Sequence, residues 1–227
     1  MKIHSIFQAC EGEGQEVGII KTFIRTQGCS VGCRNCDTPT AVNFNQGQLV
    51  DTSWIVKEVE SYPWKRVTIT GGEPLEQPDI LNLCHELRSK GYFVTLETSG
   101  QIYNEDVFDC CSFLSVDVKT PSTGVGIDWD IHRRILSRYG EKTQIKGVVE
   151  ILEDFKFIKK YYDRFFTMER ILTPYQLVIT PCWKVNQNMV DVDFIQYLLS
   201  LIFQKKIFVR VIIQQHKLVY GSQKENV

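Results

Sequence analysis

Three of the eight cysteines in this chain of 227 residues lie within eight positions of one another, in the segment GCSVGCRNCDT. Cys29, Cys33 and Cys36 have the spacing C-x3-C-x2-C. Such a group indicates metal binding, but common zinc and ferredoxin sites have four protein ligands. Three cysteines therefore indicate either a fourth ligand from elsewhere in the chain, or an iron–sulfur cluster with one iron left open for another molecule.

The other cysteines and the histidines leave a zinc site open as an alternative. No histidine lies near the three cysteines in the sequence, whereas Cys10 could supply a fourth ligand after folding. We interpret Cys84, Cys110, Cys111 and Cys182 as free thiols, because each lies among apolar residues. The first residues, MKIHSIFQ, do not resemble a signal peptide, so we expect the cysteines to be reduced and the protein to be cytoplasmic.

Composition excludes two classes of partner. The chain has 26 basic and 27 acidic residues, so nothing indicates a surface that binds nucleic acid. No apolar run approaches the ~20 residues that cross a bilayer, so we expect no membrane partner.

Short apolar runs alternate with amphipathic helical patterns along the chain. The predicted strands are Lys21–Arg25, Val67–Thr70, Phe93–Glu97, Phe113–Val118, Ile145–Val149, Leu177–Ile179 and Phe208–Ile213. One helical pattern begins at 51–53 and places Ile55, Val59 and Tyr62 on one face, and others cover 78–91, 155–165 and 194–202. Most strands have few polar positions, which is typical of parallel strands covered on both faces. The alternation predicts an α/β fold in which a parallel sheet carries outer helices.

Several polar or glycine-rich segments come directly after predicted strands. They are TGGEP at 70–74, ETSG at 97–100 and DVKTPS at 117–122, and the cysteine triplet follows the strand that ends at Arg25. Because the chemistry of parallel α/β folds lies at the carboxyl ends of the strands, we expect one active site here. We expect residues 1–220 to form a single domain and residues 221–227 to be a disordered tail.

The C-x3-C-x2-C loop resembles the signature of the radical S-adenosylmethionine (SAM) superfamily. The resemblance implies that Cys29, Cys33 and Cys36 hold a [4Fe–4S] cluster, whose open iron binds the amino and carboxylate groups of SAM. Reduction of the cluster then cleaves SAM to methionine and a 5′-deoxyadenosyl radical. TITGGEP resembles the superfamily's GGE motif, in which glycines admit a ligand close to the backbone and Glu73 offers a carboxylate to an ammonium.

The first forty residues narrow the resemblance. SIFQACEGEG followed by FIRTQGCSVGCRNCDT resembles the opening of the 7-carboxy-7-deazaguanine synthases, as do ETSG and the closing VRVIIQQHK at 209–217. The resemblance implies an incomplete (β/α) barrel of the radical SAM type. It also implies a ring contraction of 6-carboxy-5,6,7,8-tetrahydropterin to 7-carboxy-7-deazaguanine with release of ammonia. SAM and Mg2+ are required, and the product enters queuosine and other deazapurine pathways.

The same resemblance implies a role for individual residues and partners. Substrate contacts fall on Cys10, Glu11, Gly12, Glu13, Arg25 and Thr70, and the Mg2+ ligand is Thr38. SAM contacts fall on Gly72, Glu73, Glu97, Ser99, Asp117, Val118, Lys119, Thr180, Pro181, Cys182 and Trp183. A flavodoxin- or ferredoxin-type reductant and a homodimer are also implied.

Three segments depart from the family's pattern. Glu11 replaces the usual Gln of QGEG, Asp117-Val118-Lys119 replaces Ser-Pro-Lys, and Thr180-Pro181 replaces Gln-Pro. Two alternatives therefore stay open. The first is another small radical SAM enzyme, such as a glycyl-radical activase, and the second is a non-catalytic iron–sulfur or zinc-binding module.

Overall fold

A computed structural model describes residues 1–184, 189–221, 224 and 226, and its centre is a sheet of nine strands. The strands are β1 (Lys2–Cys10), β2 (Ile20–Thr26), β3 (Gln48–Leu49), β4 (Arg66–Gly71), β5 (Phe93–Thr98), β6 (Phe113–Val118), β7 (Thr143–Val149), β8 (Leu177–Pro181) and β11 (Arg210–Val211). A separate pair comprises β9 (Trp183–Lys184) and β10 (Met189–Val190). The predicted tail, 221–227, falls mostly outside the described residues.

Helices follow most of the strands. They are α1 (Thr52–Glu60), α2 (Ile80–Ser89), α3 (Glu105–Cys110), α4 (Trp129–Tyr139), α5 (Leu152–Tyr162), α6 (Val192–Lys205) and α7 (Gln215–Tyr220). Asp51, Asn104 and Asp128 begin α1, α3 and α4 by accepting hydrogen bonds from backbone N–H groups of the first turn. None of the helices in the described part of the chain is long and apolar enough to span a bilayer.

The sheet order is β11-β8-β7-β6-β5-β4-β2-β1-β3. All neighbours from β2 to β11 are parallel, whereas β1 pairs antiparallel with both β2 and β3. The first and last strands of this order are not joined, so the barrel is open on one side. The predicted fold, a parallel sheet with outer helices forming an incomplete barrel, is confirmed.

Side chains of the parallel strands alternate between the two faces of the sheet. Ile24, Val67, Leu96, Leu114 and Ile145 are fully buried in one apolar core, which also contains the inner residues of the helices. The apolar alternation is what buries each strand beneath the helices.

The opposite face of the sheet is mostly polar, so the expectation of strands with few polar positions holds for the face beneath the helices and is wrong for this one. Lys21, Thr68, Thr95, Ser115 and Gln144 are buried on this second face. Their side chains join neighbouring strands: Lys21 donates to Thr68 at 3.3 Å, and Gln144 donates to Ser115 at 2.8 Å. We call this face the lumen, and its polar layers are suited to a polar ligand.

The two ends of the sheet differ from the prediction. The strand before the cysteine loop was predicted and is β2, but the antiparallel β1, nine residues long, was not predicted. The last strand is only the two residues of β11, where Phe208–Ile213 was predicted. It stops early because the chain turns at Gln214, which begins α7 and points a polar side chain toward the lumen.

Candidate active site

The cysteine loop is fixed by backbone hydrogen bonds on both sides. Gly28 N donates to Ala41 O at 2.8 Å, and Cys29 N donates to Val42 O at 3.0 Å. Farther along the loop, Arg34 N donates to Thr123 O at 2.9 Å. The loop therefore spans the carboxyl ends of β2 and β6, and its three cysteines are free thiols at the rim of the lumen.

The TGGEP turn lies directly against this loop. Glu73 N donates to Gly28 O at 2.9 Å, and Gly72 N donates to Thr26 O at 3.0 Å. A Cβ on Gly72 would lie 2.0 Å from Gly28 O and 2.9 Å from Ala41 O, so only glycine fits. Two segments that the sequence linked only through resemblance are thus in direct contact.

The Glu73 carboxylate is fully buried and is held by three protein donors. Oε1 accepts from Leu75 N at 3.1 Å and from Thr98 Oγ1 at 2.8 Å, and Oε2 accepts from Ser99 N at 2.8 Å. Burial raises its pKa, and the donors from Ser99 and Thr98 oppose that shift. Glu73 therefore ties the TGGEP turn to ETSG, a positioning contact that leaves little of its acceptor capacity for an ammonium.

A line of alternating charges crosses the lumen from the loop after β1 to β6. Lys146 Nζ lies 2.6 Å from Glu13 Oε2 and 3.6 Å from Asp117 Oδ1, and Lys119 Nζ lies 2.8 Å from Asp117 Oδ2. Burial opposes ionisation of each group, but the paired charges lower the pKa of Glu13 and Asp117 and raise that of Lys146 and Lys119. All four are therefore charged at neutral pH.

Arg25 lies at the end of β2 beside the C-D-T segment. Its Nη1 donates to Thr38 Oγ1 at 3.1 Å, and its guanidinium lies 5.5 Å from the centre of the Phe7 ring. Its buried Nε has no hydrogen-bond partner among the described residues. That edge of the guanidinium is therefore suited to a carboxylate from a ligand.

Asp37 joins Arg25 to the far end of the chain. It accepts from Thr38 Oγ1 at 3.3 Å and from Gln214 Nε2 at 3.4 Å, and Lys217 Nζ lies 3.5 Å away. Partial desolvation raises the pKa of Asp37, but the Lys217, Lys146 and Arg25 charges outweigh it and lower the pKa to about 2. Asp37 is therefore an ionised group between the cysteine loop and α7.

Gln214 is the residue that connects the two halves of the site. Its Nε2 donates to Glu13 Oε1 at 2.6 Å as well as to Asp37. His216 packs on Gly12, where a Cβ would lie 2.1 Å from the ring Nδ1. A continuous hydrogen-bonded chain thus runs from Glu13 through Gln214 and Asp37 to Thr38 and Arg25.

Glu11 is buried beneath this chain and pairs with a lysine that the sequence analysis did not single out. Its Oε2 accepts from Lys21 Nζ at 3.0 Å, and its Oε1 accepts from Glu13 N at 3.3 Å. Burial and the nearby Glu97 carboxylate raise the pKa of Glu11 to about 7, against the opposing effect of Lys21.

The remaining predicted residues are spread around the rim. Thr70 pairs in register with Arg25, and Cys10 donates weakly to Glu11 O. Val118 packs in the apolar core, so a ligand could reach only its backbone. Thr180 and Trp183 are buried, and both Thr180 Oγ1 and Trp183 Nε1 have no partner among the described residues. Pro181 is buried and Cys182 half-buried at the end of β8.

Sequence analysis missed Lys21, Asp37, Lys146 and Gln214 as site residues. The sequence did indicate the two lysines, because each lies within an apolar run, IIKTFI or QIKGVV. A charge inside a buried strand must face a polar space. Gln214 lies within the segment that resembles the C-terminal motif of the family. Nothing in the neighbouring sequence indicated which residues its side chain contacts.

Residues 23–161 match the model of the radical SAM superfamily. The chain is 30% identical to 7-carboxy-7-deazaguanine synthase of Aquifex aeolicus over 95% of this chain and 91% of that protein. It is also 30% identical to the protein of the same name from Thermoplasma acidophilum, over 98% of both chains. The chain belongs to the 7-carboxy-7-deazaguanine synthase family of radical SAM enzymes.

A solved structure has the same fold as this chain. Its backbone resembles the crystal structure of QueE from Escherichia coli, with a TM-score of 0.68, 22% identity, and coverage of 95% of this chain and 94% of that one. Membership confirms the predicted family and implies a [4Fe–4S] cluster and SAM as cofactors.

The donor set at the rim fits an iron–sulfur cluster held by three cysteines. Among the described residues, no three His, Cys, Asp or Glu side chains converge closely enough to bind one metal ion. The cysteines of an iron–sulfur cluster coordinate separate irons and so need no such convergence. Three free thiols on one anchored loop fit a cluster with an open iron.

Proposed function

We propose that this chain converts 6-carboxy-5,6,7,8-tetrahydropterin to 7-carboxy-7-deazaguanine by ring contraction with release of ammonia. The single observation that carries the proposal is the hydrogen-bonded chain from Glu13 through Gln214, Asp37 and Thr38 to Arg25. It places acceptors for a pterin ring and a cation for a carboxylate in one polar lumen.

The substrate's carboxylate is the group that Arg25 binds in this proposal. The unpartnered Nε offers one N–H of a bidentate pair, while the bond from Nη1 to Thr38 holds the guanidinium plane in place. Glu13, kept ionised by Lys146, accepts N–H groups from the amino-pyrimidinone edge. Cys10, Gly12 and Thr70 border the same space.

A cluster on Cys29, Cys33 and Cys36, together with SAM, supplies the radical that starts the reaction. SAM contacts fall on Gly72 and on the rim residues Glu97, Ser99, Asp117, Lys119 and 180–183. The contacts between TGGEP, ETSG and the cysteine loop support this assignment, since they bring these segments to one edge.

Thr38 is the proposed protein ligand of Mg2+. Its hydroxyl is a hard oxygen donor beside the ionised Asp37, and Mg2+ binds few protein ligands when substrate and water complete its octahedron. The protein's share is then one oxygen ligand and a neighbouring negative charge.

The decisive experiment uses anaerobically reconstituted protein with SAM, a chemical reductant and 6-carboxytetrahydropterin, with and without Mg2+. Mass spectrometry should detect 7-carboxy-7-deazaguanine in amounts that rise with Mg2+. Formation of 5′-deoxyadenosine without the deazaguanine would retain the radical SAM chemistry and reject the substrate. Modification of a partner's glycine instead would identify an activase.

We further propose that residues 1–220 act as one domain, in the cytoplasm, as a homodimer supplied with electrons by a flavodoxin or ferredoxin. Eight free cysteines and an oxygen-sensitive type of cluster are suited to a reducing compartment. Sedimentation of the reconstituted protein measures the oligomeric state. The rate at which flavodoxin and ferredoxin each reduce the cluster identifies the electron donor.

A further inference from the structure

Lys21 is a lysine with a fully buried side chain in the middle of β2. Its Nζ lies 2.7 Å from Glu16 Oε2, 3.0 Å from Glu11 Oε2 and 3.3 Å from Thr68 Oγ1. A buried ammonium is stable only with such partners, so the three contacts account for its position.

The two carboxylates depend on Lys21 to different degrees. Glu16 also accepts from Arg66 and, at 2.7 Å, from Thr95 Oγ1. The Glu11 carboxylate has one further hydrogen bond among the described residues, a long one of 3.3 Å from Glu13 N. Loss of Lys21 would therefore leave Glu16 paired and Glu11 buried without a counter-ion.

The charged groups that face Glu11 come from three elements. Lys21 approaches from β2, Glu97 from β5, and Glu13 from the loop that follows β1. Two of the three are acids, so among these groups of the described chain it is the ammonium of Lys21 that favours an ionised Glu11.

We propose that Lys21 is a positioning residue of the pterin site. Its ammonium contacts both Glu16 and Glu11, and it thereby fixes the orientation and charge of the Glu11 carboxylate. The inference rests on the proposed function, because it takes Glu11 as a contact of the pterin's amino-pyrimidinone edge. An ionised carboxylate accepts the N–H groups of that edge, whereas a protonated one loses an acceptor.

Glu11, which replaces the usual Gln of the family's QGEG motif, requires a counter-ion such as Lys21. A glutamine at position 11 would carry an amide oxygen that accepts N–H groups without any counter-ion. With a carboxylate there, the buried charge must be balanced from within the sheet, and Lys21 is placed to do so.

The test measures binding of 6-carboxypterin, an oxidised and unreactive relative of the substrate, to reconstituted enzyme with SAM. Titrations run from about pH 6 to about pH 8, which brackets the pKa of Glu11. The wild type should bind more tightly as pH rises. Lys21→Met should weaken binding at neutral pH by about tenfold or more, since Glu11 then takes up a proton.

Two further variants separate positioning from folding. Glu11→Gln should bind with little pH dependence, and Glu11→Gln/Lys21→Met should bind about as well as Glu11→Gln. Lys142→Met is the matched control: this lysine donates to the carbonyls of Phe108 and Cys111, away from the lumen, and its loss should leave binding unchanged.

Each outcome has a definite meaning. If Lys21→Met binds like the wild type across the pH range, or if the double variant is as weak as Lys21→Met, the inference is overturned. If Lys21→Met does not fold, the Glu11→Gln variant provides the test. Binding of 6-carboxypterin by Glu11→Gln that depends on pH as strongly as in the wild type then overturns the inference. Failure of the wild type to bind 6-carboxypterin or to form the deazaguanine rejects the proposed function itself.

Discussion

Nη1 of Arg25 donates a hydrogen bond to Oγ1 of Thr38 at 3.1 Å, so the proposed carboxylate-binding and Mg2+-binding residues are in direct contact. A carboxylate beside Arg25 is therefore also near Thr38. In the proposed function, the guanidinium and a Mg2+ ion at Thr38 would then hold the same end of the substrate.

The cysteine loop gives the first prediction. Cys29→Ala, Cys33→Ala and Cys36→Ala should each abolish the cleavage of SAM and lower the iron content well below about four irons per chain, because each thiolate holds a separate iron. Cys110→Ala, a half-buried thiol at the end of α3, is the matched control and should keep its iron. Full activity in any of the three variants would reject the cluster assignment.

The contact between Gly72 and Gly28 gives the second. Gly72→Ala would place a Cβ 2.0 Å from Gly28 O, a clash with backbone atoms that cannot be relieved by a side-chain rotation. We expect a loss of about 2 kcal/mol or more in stability and failure to incorporate the cluster. Gly126→Ala, where a Cβ meets nothing within 4 Å, should behave as wild type in thermal unfolding and iron content.

The guanidinium of Arg25 gives the third. Arg25→Lys keeps the charge but loses the planar pair of N–H donors, so the Kd for 6-carboxypterin should rise by roughly tenfold to a hundredfold. The Kd for pterin without the carboxylate should change little, and that contrast is the internal control. Arg138→Lys, on the exposed face of α4, should alter neither value. Equal losses for both ligands would mean that Arg25 does not bind the carboxylate.

The hydroxyl of Thr38 gives the fourth. Thr38→Ala should weaken the increase in product with Mg2+ while the cluster and the cleavage of SAM persist, and Thr38→Ser should restore the response because it retains the oxygen. Product formation is measured against Mg2+ concentration with iron content determined in parallel. An unchanged Mg2+ response in Thr38→Ala would argue against this ligand.

Glu11 gives the fifth, which concerns stability. Its pKa is raised from 4.5 to about 7 by burial first and by Glu97 second, so folding favours the protonated acid. That contribution is complete below about pH 4.5 and is lost as pH rises through about 7. Glu11→Gln should therefore gain stability relative to the wild type between these values, by at most about 3 kcal/mol.

Denaturant unfolding at several pH values checks this sign. The matched control is Glu153→Gln, a substitution of the same kind at an exposed position on α5. A difference for Glu11→Gln that shrinks with rising pH would contradict the expected direction.

The layered α/β fold and the edge that carries the site were predictable, because alternating elements and glycine-rich strand ends are local features. The polar lumen was not, since Lys21 and Lys146 are single charges within apolar runs, and sequence alone does not show which face of a strand they occupy. Gln214 could not be paired with Glu13, because 201 positions separate them and β11 is only two residues long.

Every strand from β5 to β8 lies beside the strand synthesised before it, and β11 is added beside β8. Such an order lets the sheet grow in step with the ribosome, from the N-terminus onward. The cysteine loop, the TGGEP turn and their contacts within residues 26–76 are complete early in synthesis. Gln214 and Lys217 are synthesised much later, so the contacts around the cysteine loop form long before the hydrogen-bonded chain from Glu13 to Arg25 can be completed.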